Sequence, residues 1–235
     1  MPKCSIVMAT RNHGHLIGRA LRSIFQQKVP FQFEVIVVDD GSDDDTPKVC
    51  EGFDVDYIRL ENDEYRNPSL ARNVGFRKAQ GEVIIQQSDE VIHYSKDTIE
   101  RLTNDLREGE FLIATVYNYD LKHDKIRNIY SGKINPRPFF FLGSLSRKDL
   151  YAVGGYDEDF KTPGFDDNWH ADCLLKGLKL KVRYVDVIGY HQHHARLPGL
   201  IEEIYKPTRE LYREKAKAAA LNNIPYCSSG GPWDY

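Results

Sequence analysis

The chain has 235 residues, of which 41% are hydrophobic and 29% charged, and its formal net charge is −3. Such a chain is expected to form a globular domain with an ample core, and its slightly acidic balance disfavours nucleic acid as a partner. No apolar run approaches the roughly 20 residues that span a membrane, and no leader pattern precedes the first predicted strand. The four scattered cysteines match neither a zinc site nor a disulfide framework, so we expect reduced thiols and a cytoplasmic protein, free or peripheral to a membrane.

The first 90 residues alternate between short apolar runs and helical patterns. Strands are predicted at 4–9, 33–39, 56–60 and 82–87. Apolar residues at helical spacing predict a helix between the first two strands, a short helix follows Thr46, and Pro68 and Gly81 flank a helix over 69–79. This alternation predicts an α/β class with a Rossmann-like, mainly parallel sheet flanked by helices.

The remainder of the chain has a less regular pattern. Residues 96–108 favour a helix, 111–119 a strand, and 121–137 a polar loop or hairpin. The Phe139-Phe140-Phe141 run is interpreted as core rather than as a sugar-stacking surface, and it leads towards a helix near 147–153. A helix from about Asp166, apolar segments at 181–185 and 187–190, and a mobile tail at 228–232 complete the prediction. A charged helix is also predicted over 200–221, with a possible inner face of Leu200, Ile201, Ile204, Leu211 and Ala218.

Two carboxylates end the apolar run at 35–38, where Asp39 and Asp40 precede a Gly-Ser turn. A continuous apolar run is typical of a strand buried in a parallel sheet, and ligands bind beyond the carboxyl ends of such strands. Paired acids at that position can accept the N–H and O–H donors of a nucleoside. The alternative is an Asp-rich turn that caps the next helix.

Two further acidic pairs follow apolar or turn segments. Asp89 and Glu90 end the strand near 83–87 and offer hard oxygen ligands for Mg²⁺ or Mn²⁺, which could carry a diphosphate. A solvated strand-to-loop turn is the alternative for this pair. Asp166 and Asp167 follow a Gly-Phe turn, and they are candidates either for acid–base catalysis or for capping a helix.

The ordered series of motifs resembles glycosyltransferase family 2, whose members are inverting, nucleotide-sugar-dependent enzymes with the GT-A fold. The motifs, between about residues 3 and 194, are Ser-Ile-Val-Met-Ala-Thr-Arg-Asn (5–12), Val-Val-Asp-Asp-Gly-Ser (37–42), Ala-Arg-Asn-Val-Gly (71–75), Gly-Glu-Val-Ile-Ile-Gln-Gln-Ser-Asp-Glu (81–90), Val-Gly-Gly-Tyr-Asp-Glu (153–158), Gly-Phe-Asp-Asp (164–167) and Tyr-His (190–191). The resemblance implies a nucleotide-sugar-binding half at 1–90, an acceptor-binding and catalytic half of the same domain at 91–196, and a C-terminal helix and tail at 197–235.

The resemblance also implies roles for single residues. The Ala9–Thr10 backbone and the Asp40 carboxylate would hold the nucleobase, with Asp39 supporting the turn and Arg11 in the same nucleotide-binding set. Asp89 would approach the ribose or the metal, and Glu90 would bind Mn²⁺ or Mg²⁺. Asp167 would be the general base, with Asp166 as the first acid of that catalytic pair.

The chain departs from the family pattern at three positions. Ser88 and Glu90 replace the first and last acids of the Asp-x-Asp motif, and Asp166 replaces a glutamate. Among nearby residues, His191 is a candidate metal ligand, and His193 and His194 share that possibility with the alternative of a surface loop.

Two residues keep two interpretations each. Arg72 either supports the diphosphate or, with Asn73, fixes the adjoining loop. Trp169 either lines the acceptor site or packs in the core.

The predicted function is therefore inverting transfer of a sugar from a nucleoside-diphosphate sugar, with UDP or dTDP favoured, to the hydroxyl of a glycan or other acceptor. A carboxylate general base typically contributes about 10²–10⁴-fold to such a reaction. The alternatives are a catalytically inactive nucleotide-sugar binder or scaffold, and a nucleotidyltransferase. The turn at 10–14 lacks the glycine-rich basic loop of a nucleotidyltransferase and the Gly-x-Gly-x-x-Gly of a dinucleotide oxidoreductase.

Overall fold

The first part of the chain folds as the predicted alternation of strands and helices. In the computed structural model, which describes residues 1–194 and 201–235, these elements are β1 (Cys4–Thr10), α1 (Gly14–Phe25), β2 (Phe33–Asp39), α2 (Thr46–Cys50), β3 (Asp56–Arg59), α3 (Ser69–Lys78) and β4 (Val83–Gln87). Strand β1 pairs in parallel with both β2 and β4, and β2 pairs in parallel with β3. The apolar run at 35–38 is buried because helices and loops cover both faces of this sheet.

The second part of the chain extends the same sheet with mixed pairing. Its elements are β5 (Val91–His93), α4 (Thr98–Asn104), β6 (Glu110–Asp120), β7 (Lys125–Ser131), β8 (Leu142–Ser146), α5 (Arg147–Ala152), α6 (Asp166–Asp172), β9 (Lys181–Gln192) and α7 (Ile201–Ala220). The described strands form one sheet in the order β3-β2-β1-β4-β8-β6-β9-β5, and β7 pairs with β6. Strand β8 is antiparallel to both β4 and β6, and it joins the two parts of the chain.

Several elements differ from the sequence prediction. The three phenylalanines lead first into strand β8 and only then into helix α5. Strand β5 was not predicted, the two apolar segments at 181–190 form the single strand β9, and the predicted helix at 96–108 is shortened to α4. The polar stretch at 121–137 contains β7, which makes a hairpin with β6. Phe140 stacks on Phe111 and Phe141 on Tyr130, so this run belongs to the core as predicted.

The core lies on both faces of the sheet because successive residues of a strand point to opposite sides. Ile6 and Met8 of β1 pack on one face, whereas the intervening Val7 packs on the other with Phe76 and Trp169. In the described part of the chain, no helix is both long enough and apolar enough to cross a membrane.

The C-terminal segment packs onto the second face of the sheet. Leu211 of α7 packs against the core and Ala218 is half-buried, whereas the predicted inner-face residue Leu200 and the side chains of Ile201 and Ile204 lie outside the described set. The expectation of a mobile tail was wrong. The backbone N–H of Ser228 donates to the Val153 carbonyl (2.8 Å), and the indole of Trp233 lies 4.1 Å from the Arg77 guanidinium carbon, as a cation–π pair.

Candidate active site

Asp39 fixes the turn at the end of β2. Its carboxylate is fully buried, and it accepts hydrogen bonds from the Ser42 N–H (2.8 Å), the Arg59 guanidinium (3.2 Å) and the Tyr57 hydroxyl. Removing these partners would leave a buried charge unpaired, which is costly. The geometry of Asp39 therefore suits support of the turn, the role that the family resemblance implied.

The Asp40 carboxylate faces a loop that the sequence analysis did not single out. Nε of Arg66 lies 3.1 and 3.0 Å from its two oxygens, and the Asn62 amide donates to one of them at 3.1 Å. Both donors come from the loop between β3 and α3. Nη2 of Arg66 also donates to one of the oxygens (2.5 Å), so each Asp40 oxygen already has two donor contacts, and a further donor would have to displace one of them.

A cavity of about 740 Å³ opens beside this loop, at the carboxyl ends of β2 and β3. Its lining is polar and includes Arg11, Ser42, Arg59 and Asn62. The Arg11 guanidinium donates to the backbone carbonyls of Asp40 and Asn62 (3.2 Å to Asn62), so it holds the two loops together. The volume falls in the range of small-molecule sites.

The backbone at the end of β1 joins this arrangement. The Asp40 N–H donates to the Thr10 carbonyl (2.9 Å), and Ala9 pairs with Val38 in the parallel ladder. The predicted nucleotide-binding residues Ala9, Thr10, Arg11, Asp39 and Asp40 are thus neighbours at one sheet edge. Their contact with a nucleotide stays a prediction.

Asp89 and Glu90 follow β4 and meet histidines from two other parts of the chain. His13, in the turn between β1 and α1, places Nδ1 2.9 Å from an Asp89 oxygen and 3.7 Å from Glu90 Oε1. From the end of β9, Nε2 of His191 lies 3.8 Å and Nε2 of His194 lies 3.7 Å from the same Glu90 oxygen. The structure therefore gathers the predicted metal ligands and adds His13, which was not predicted. His193 is exposed.

The charges of this cluster favour a positive ion near the acids Asp89 and Glu90. Burial, followed by the neighbouring Asp89 charge, raises the pKa of Glu90. Burial would lower the pKa of His13, but the charge of Asp89, with Glu90 and Asp44, outweighs it and raises the pKa to about 9. Burial also opposes ionisation of Asp89, yet the His13 charge lowers its pKa.

The donor set of this cluster fits a divalent metal ion. The potential ligand atoms of His13, Glu90 and His194 all lie within 4.8 Å of one another. Among the described residues, these three form the cluster of side chains that could hold a metal ion. Carboxylate and imidazole together are ligands for Mn²⁺ and Zn²⁺, whereas Mg²⁺ prefers oxygen alone.

Asp166 and Asp167 begin helix α6 after a turn with two left-handed residues, Gly164 (φ 108°) and Phe165 (φ 62°). Asp166 accepts from the Gly164 N–H (3.1 Å) and pairs with Arg72 (3.2 Å), so it is buried and satisfied. Asp167 is 31% exposed, and Arg72 lies 3.5 Å from it. Asp167 is therefore the more accessible acid of this pair.

Tyr156 holds the Asp167 carboxylate from the other side. Its hydroxyl donates to Asp167 Oδ1 at 3.1 Å, and its ring lies 4.7 Å beneath the Arg72 guanidinium carbon. Burial first, and the Asp166 charge second, raise the pKa of Asp167 to about 6, although Arg72 and Tyr156 act in the opposite direction. At pH 7 the carboxylate is ionised and yet a stronger base than an ordinary aspartate.

Other predicted residues have clear positions. Arg72 lies beside Asp166 and Asp167, and the buried Asn73 bonds both to the Tyr156 backbone carbonyl and to its N–H (2.8 Å each). Trp169 is 1% exposed and donates to the Cys227 carbonyl (3.1 Å), so the interpretation that it lines the acceptor site was wrong.

The chain also resembles known proteins. The model of the family described as Glycosyl transferase family 2 matches residues 5–156. An uncharacterized glycosyltransferase of Bacillus subtilis (strain 168), YfnE, is 31% identical over 86% of this chain and 68% of its own length. The 4,4'-diaponeurosporenoate glycosyltransferase of Staphylococcus aureus (strain USA300) is 27% identical over 65% of this chain, which covers 46% of that protein.

Solved structures show the same fold. The mannosyltransferase PcManGT of Pyrobaculum calidifontis, in complex with GDP-Man and Mn²⁺, superposes with a TM-score of 0.65 at 20% identity over 94% of this chain and 64% of its own. Residues 1–349 of S. aureus TarS, in complex with UDP-GlcNAc, superpose with a TM-score of 0.64 at 19% identity over 83% of this chain and 60% of its own. The chain thus spans about three-fifths of these two structures. The family match and these superpositions confirm the predicted family and GT-A fold.

Proposed function

Because the chain belongs to glycosyltransferase family 2, we propose that it transfers a sugar from a nucleoside-diphosphate sugar to an acceptor hydroxyl with inversion at the anomeric carbon. The observation that carries this proposal is the Asp167 carboxylate, which has a raised pKa and is held by Arg72 and Tyr156. The guanidinium of Arg72, which lies 3.5 Å from Asp167, also feels the charge of Glu90, so this base lies near a candidate metal ligand that follows β4.

The base-pairing edge of a uracil or thymine ring suits the Asp40–Arg66 pair. The N3–H of either base is a donor for the Asp40 carboxylate, and an adjacent ring carbonyl is an acceptor for the Arg66 guanidinium. Cytosine has an acceptor at N3, so it would face the carboxylate with two acceptors opposed. Solved proteins of this fold hold GDP-Man or UDP-GlcNAc, which shows that the fold accommodates either class of base.

Nucleotide competition tests this donor assignment. UDP or dTDP should compete for the site at least about tenfold better than CDP, because an unsatisfied buried group costs about 1–3 kcal/mol. Asp40→Ala should weaken UDP more than CDP. Equal ranking of CDP and UDP, or an equal loss of both in the variant, would assign Asp40 to the turn alone.

Glu90, Asp89 and His191 would hold a Mn²⁺ or Mg²⁺ ion, which would neutralise negative charge on the departing diphosphate. Calorimetry with UDP should therefore find tighter binding with either ion than with EDTA, and Glu90→Gln should remove most of the difference. Equal UDP affinity with and without metal in the unmodified protein would exclude this assignment.

The acceptor hydroxyl is activated by Asp167. A free alcohol is a weak nucleophile, and the ionised carboxylate takes its proton as the new bond to the sugar forms. Arg72 and Tyr156 keep the carboxylate oriented, and Arg72 keeps the neighbouring Asp166 paired. Attack from the face opposite the leaving diphosphate inverts the anomeric carbon.

Asp167→Asn tests the proposed function directly. The variant should bind UDP nearly as the unmodified protein does, and it should lose at least about a hundredfold in sugar transfer or donor hydrolysis. The matched control is Asp172→Asn in the same helix, where the carboxylate pairs with Lys176 (2.8 Å) and Tyr212 (3.2 Å) instead. NMR of the product should show an anomeric configuration opposite to that of the donor.

One departure in the sequence favours a second candidate, an inactive nucleotide-sugar-binding protein. Ser88 stands where the family motif has its first acid. Binding of UDP with no turnover of a panel of UDP-, dTDP- and GDP-sugars would support that candidate over the enzyme.

A further inference from the structure

We propose that His13 is a metal ligand, and that His13, His194 and Glu90 hold a transition-metal ion before any nucleotide binds. This inference deepens the proposed function, because the ion would lie at the site assigned to the donor diphosphate. A metal held mainly by a diphosphate needs one or two protein carboxylates. Three converging protein donors can hold an ion without a diphosphate, with water in the remaining positions.

The separations within the cluster are close to those of a metal site. Because the three atoms lie no more than 4.8 Å apart, an ion placed among them would be at most about 2.8 Å from each. Metal–ligand distances to nitrogen and oxygen are roughly 2.0–2.2 Å, so inward movements of about 0.7 Å per side chain would complete the coordination. Rotations about side-chain bonds supply movements of that size without a change in the backbone.

The backbone of the β1–α1 turn is built to hold His13 in position. Asn12 has a left-handed conformation (φ 54°), and its N–H donates to the Ser42 hydroxyl (2.8 Å). The His13 N–H donates to the Thr46 hydroxyl (3.1 Å), and its carbonyl accepts from the first turn of α1. The imidazole is therefore fixed at its base while its ring faces Glu90.

The surroundings of the histidines support ligation. His13 Nδ1 lies 2.9 Å from Asp89, and metal-binding histidines commonly donate the N–H of their second ring nitrogen to a carboxylate, so with this bond kept the ligand atom of His13 is Nε2. The rings of His13 and His194 meet edge to face with centroids 5.3 Å apart, and Glu90 between them is 12% exposed. Two imidazoles and a mostly buried carboxylate favour Mn²⁺ or Zn²⁺ over Mg²⁺.

Binding of MnCl₂ to the full chain without nucleotide tests this proposal. Electron paramagnetic resonance measures free Mn²⁺ during the titration, and MgCl₂ is the competitor. One Mn²⁺ should bind per chain, at least about tenfold more tightly than Mg²⁺. His13→Ala should weaken Mn²⁺ binding at least about tenfold, whereas His193→Ala, which removes the exposed neighbour of His194, should change it less than about twofold.

A spectroscopic readout keeps the test independent of folding defects. Electron spin-echo measurements on the Mn²⁺-loaded protein should detect imidazole nitrogens coupled to the ion, and His13→Gln should remove one of them. Unchanged Mn²⁺ affinity in His13→Ala, or an unchanged nitrogen coupling in His13→Gln, would overturn the proposal.

Donor turnover separates this inference from the proposed function. The unmodified enzyme could transfer sugar while His13→Ala leaves the nucleotide-free affinity for Mn²⁺ unchanged. In that case only the assignment of His13 as a ligand fails. If Mn²⁺ binds through His13 but no nucleotide sugar is turned over, the metal site stands and the proposed transferase activity fails.

Discussion

The hydroxyl of Tyr156 controls how basic Asp167 can be. It donates to the carboxylate at 3.1 Å, and this bond favours the ionised form and so lowers the carboxyl pKa against the effects of burial and Asp166. The pKa of Tyr156 itself is raised, first by burial and then by the Asp167 charge, so the phenol stays protonated and remains a donor.

Tyr156→Phe should therefore move the acid limb of the activity profile. With the pKa of Asp167 at about 6, kcat/KM should fall as pH decreases below that value, because protonated Asp167 cannot accept a proton. A hydrogen bond to a charged group contributes about 1.5–3 kcal/mol, or about one to two pKa units, so its loss should shift the limb from about pH 6 to about pH 7–8. Donor hydrolysis measured from pH 4.5 to 8.5 checks this.

The matched control is Tyr151→Phe, since the Tyr151 hydroxyl donates to the Phe76 carbonyl (3.3 Å), away from the acids. An acid limb that stays at the same pH in Tyr156→Phe would show that this hydroxyl does not tune Asp167.

The same carboxylate should cost the protein stability at neutral pH. The pKa of Asp167 in the folded state is about 6, above the roughly 3.9 of an unfolded aspartate. The stabilising effect of the raised pKa is therefore fully present below about pH 4, where Asp167 is protonated, and it is lost as the pH rises through 6 and the partly buried group ionises. Asp167→Asn removes the charge, so it should raise the free energy of unfolding at pH 7.5 by about 1–2 kcal/mol, reduced from the full effect because the group is partly exposed.

Urea denaturation at pH 7.5 and pH 4 measures that difference, and the gain should disappear at the lower pH. Asp54→Asn, at an exposed position, should change stability by less than about 0.5 kcal/mol at either pH. A loss of stability in Asp167→Asn at pH 7.5 would mean that the ion pair with Arg72 outweighs burial.

At the scale of elements, helix α7 packs against the turn that precedes Asp166 and Asp167. Phe165 stacks on Tyr212 of α7 with centroids 5.8 Å apart. Gly164 has φ 108°, and a Cβ atom added there would overlap the ring of Tyr205. The turn and the helix therefore fit each other only when residue 164 lacks a side chain.

Gly164→Ala should reduce both stability and activity. The unfavourable backbone conformation costs about 1–3 kcal/mol, and the overlap with Tyr205 should displace the turn and with it Asp167. Gly109→Ala is the control, because Gly109 has φ 78° but nothing within 4 Å of an added Cβ. Thermal unfolding should register a loss in both variants, and donor turnover should fall only in Gly164→Ala. Equal donor turnover in Gly164→Ala and Gly109→Ala would contradict the support of this turn by α7.

The elements that could be predicted from sequence are those whose buried residues recur at a regular spacing along the chain. Strands β1, β2 and β4 are apolar runs because both faces are covered, and α1 repeats its buried side with the helical period. Strand β5 has three residues, and β8 has the sequence Leu-Gly-Ser-Leu-Ser, which lacks β-branched residues. Such strands form because neighbouring strands supply hydrogen bonds, and no local pattern records this.

The candidate site divides in the same way. Acids that follow strands or turns, such as Asp40, Glu90 and Asp167, could be identified because ligands bind beyond the carboxyl ends of strands. Their partners Arg66 and His13 lie in polar loops, where spacing along the chain does not reveal which side chains meet in space. Tyr156 lay within a recognised motif, but its contact with Asp167 depends on how two separate turns pack.

At the scale of the molecule, the part proposed to bind the nucleotide and the part proposed for catalysis share one sheet. Strand β4 of the first part pairs with β8, and β8 pairs with β6 of the second. Both core faces also mix residues from the two parts, as with Ile36 and Trp169 on one face. We infer that residues 1–90 and 91–196, although assigned different roles, unfold as one cooperative unit with the C-terminal segment.

A core substitution in the first part should therefore also lower the stability of the second part. Ile36→Ala, at a fully buried position of β2, should lower the free energy of unfolding by about 2–5 kcal/mol. The chain has two tryptophans, Trp169 and Trp233, which belong to the second part and the tail but pack against residues of the first part such as Phe76 and Arg77. Their fluorescence therefore reports the packing between the two parts. In urea, the fluorescence midpoint and the circular-dichroism midpoint should fall together, whereas Ile134→Ala, at a side chain that is 72% exposed, should leave both in place. A tryptophan transition that stayed at its original midpoint while circular dichroism became biphasic would show that the two parts unfold separately.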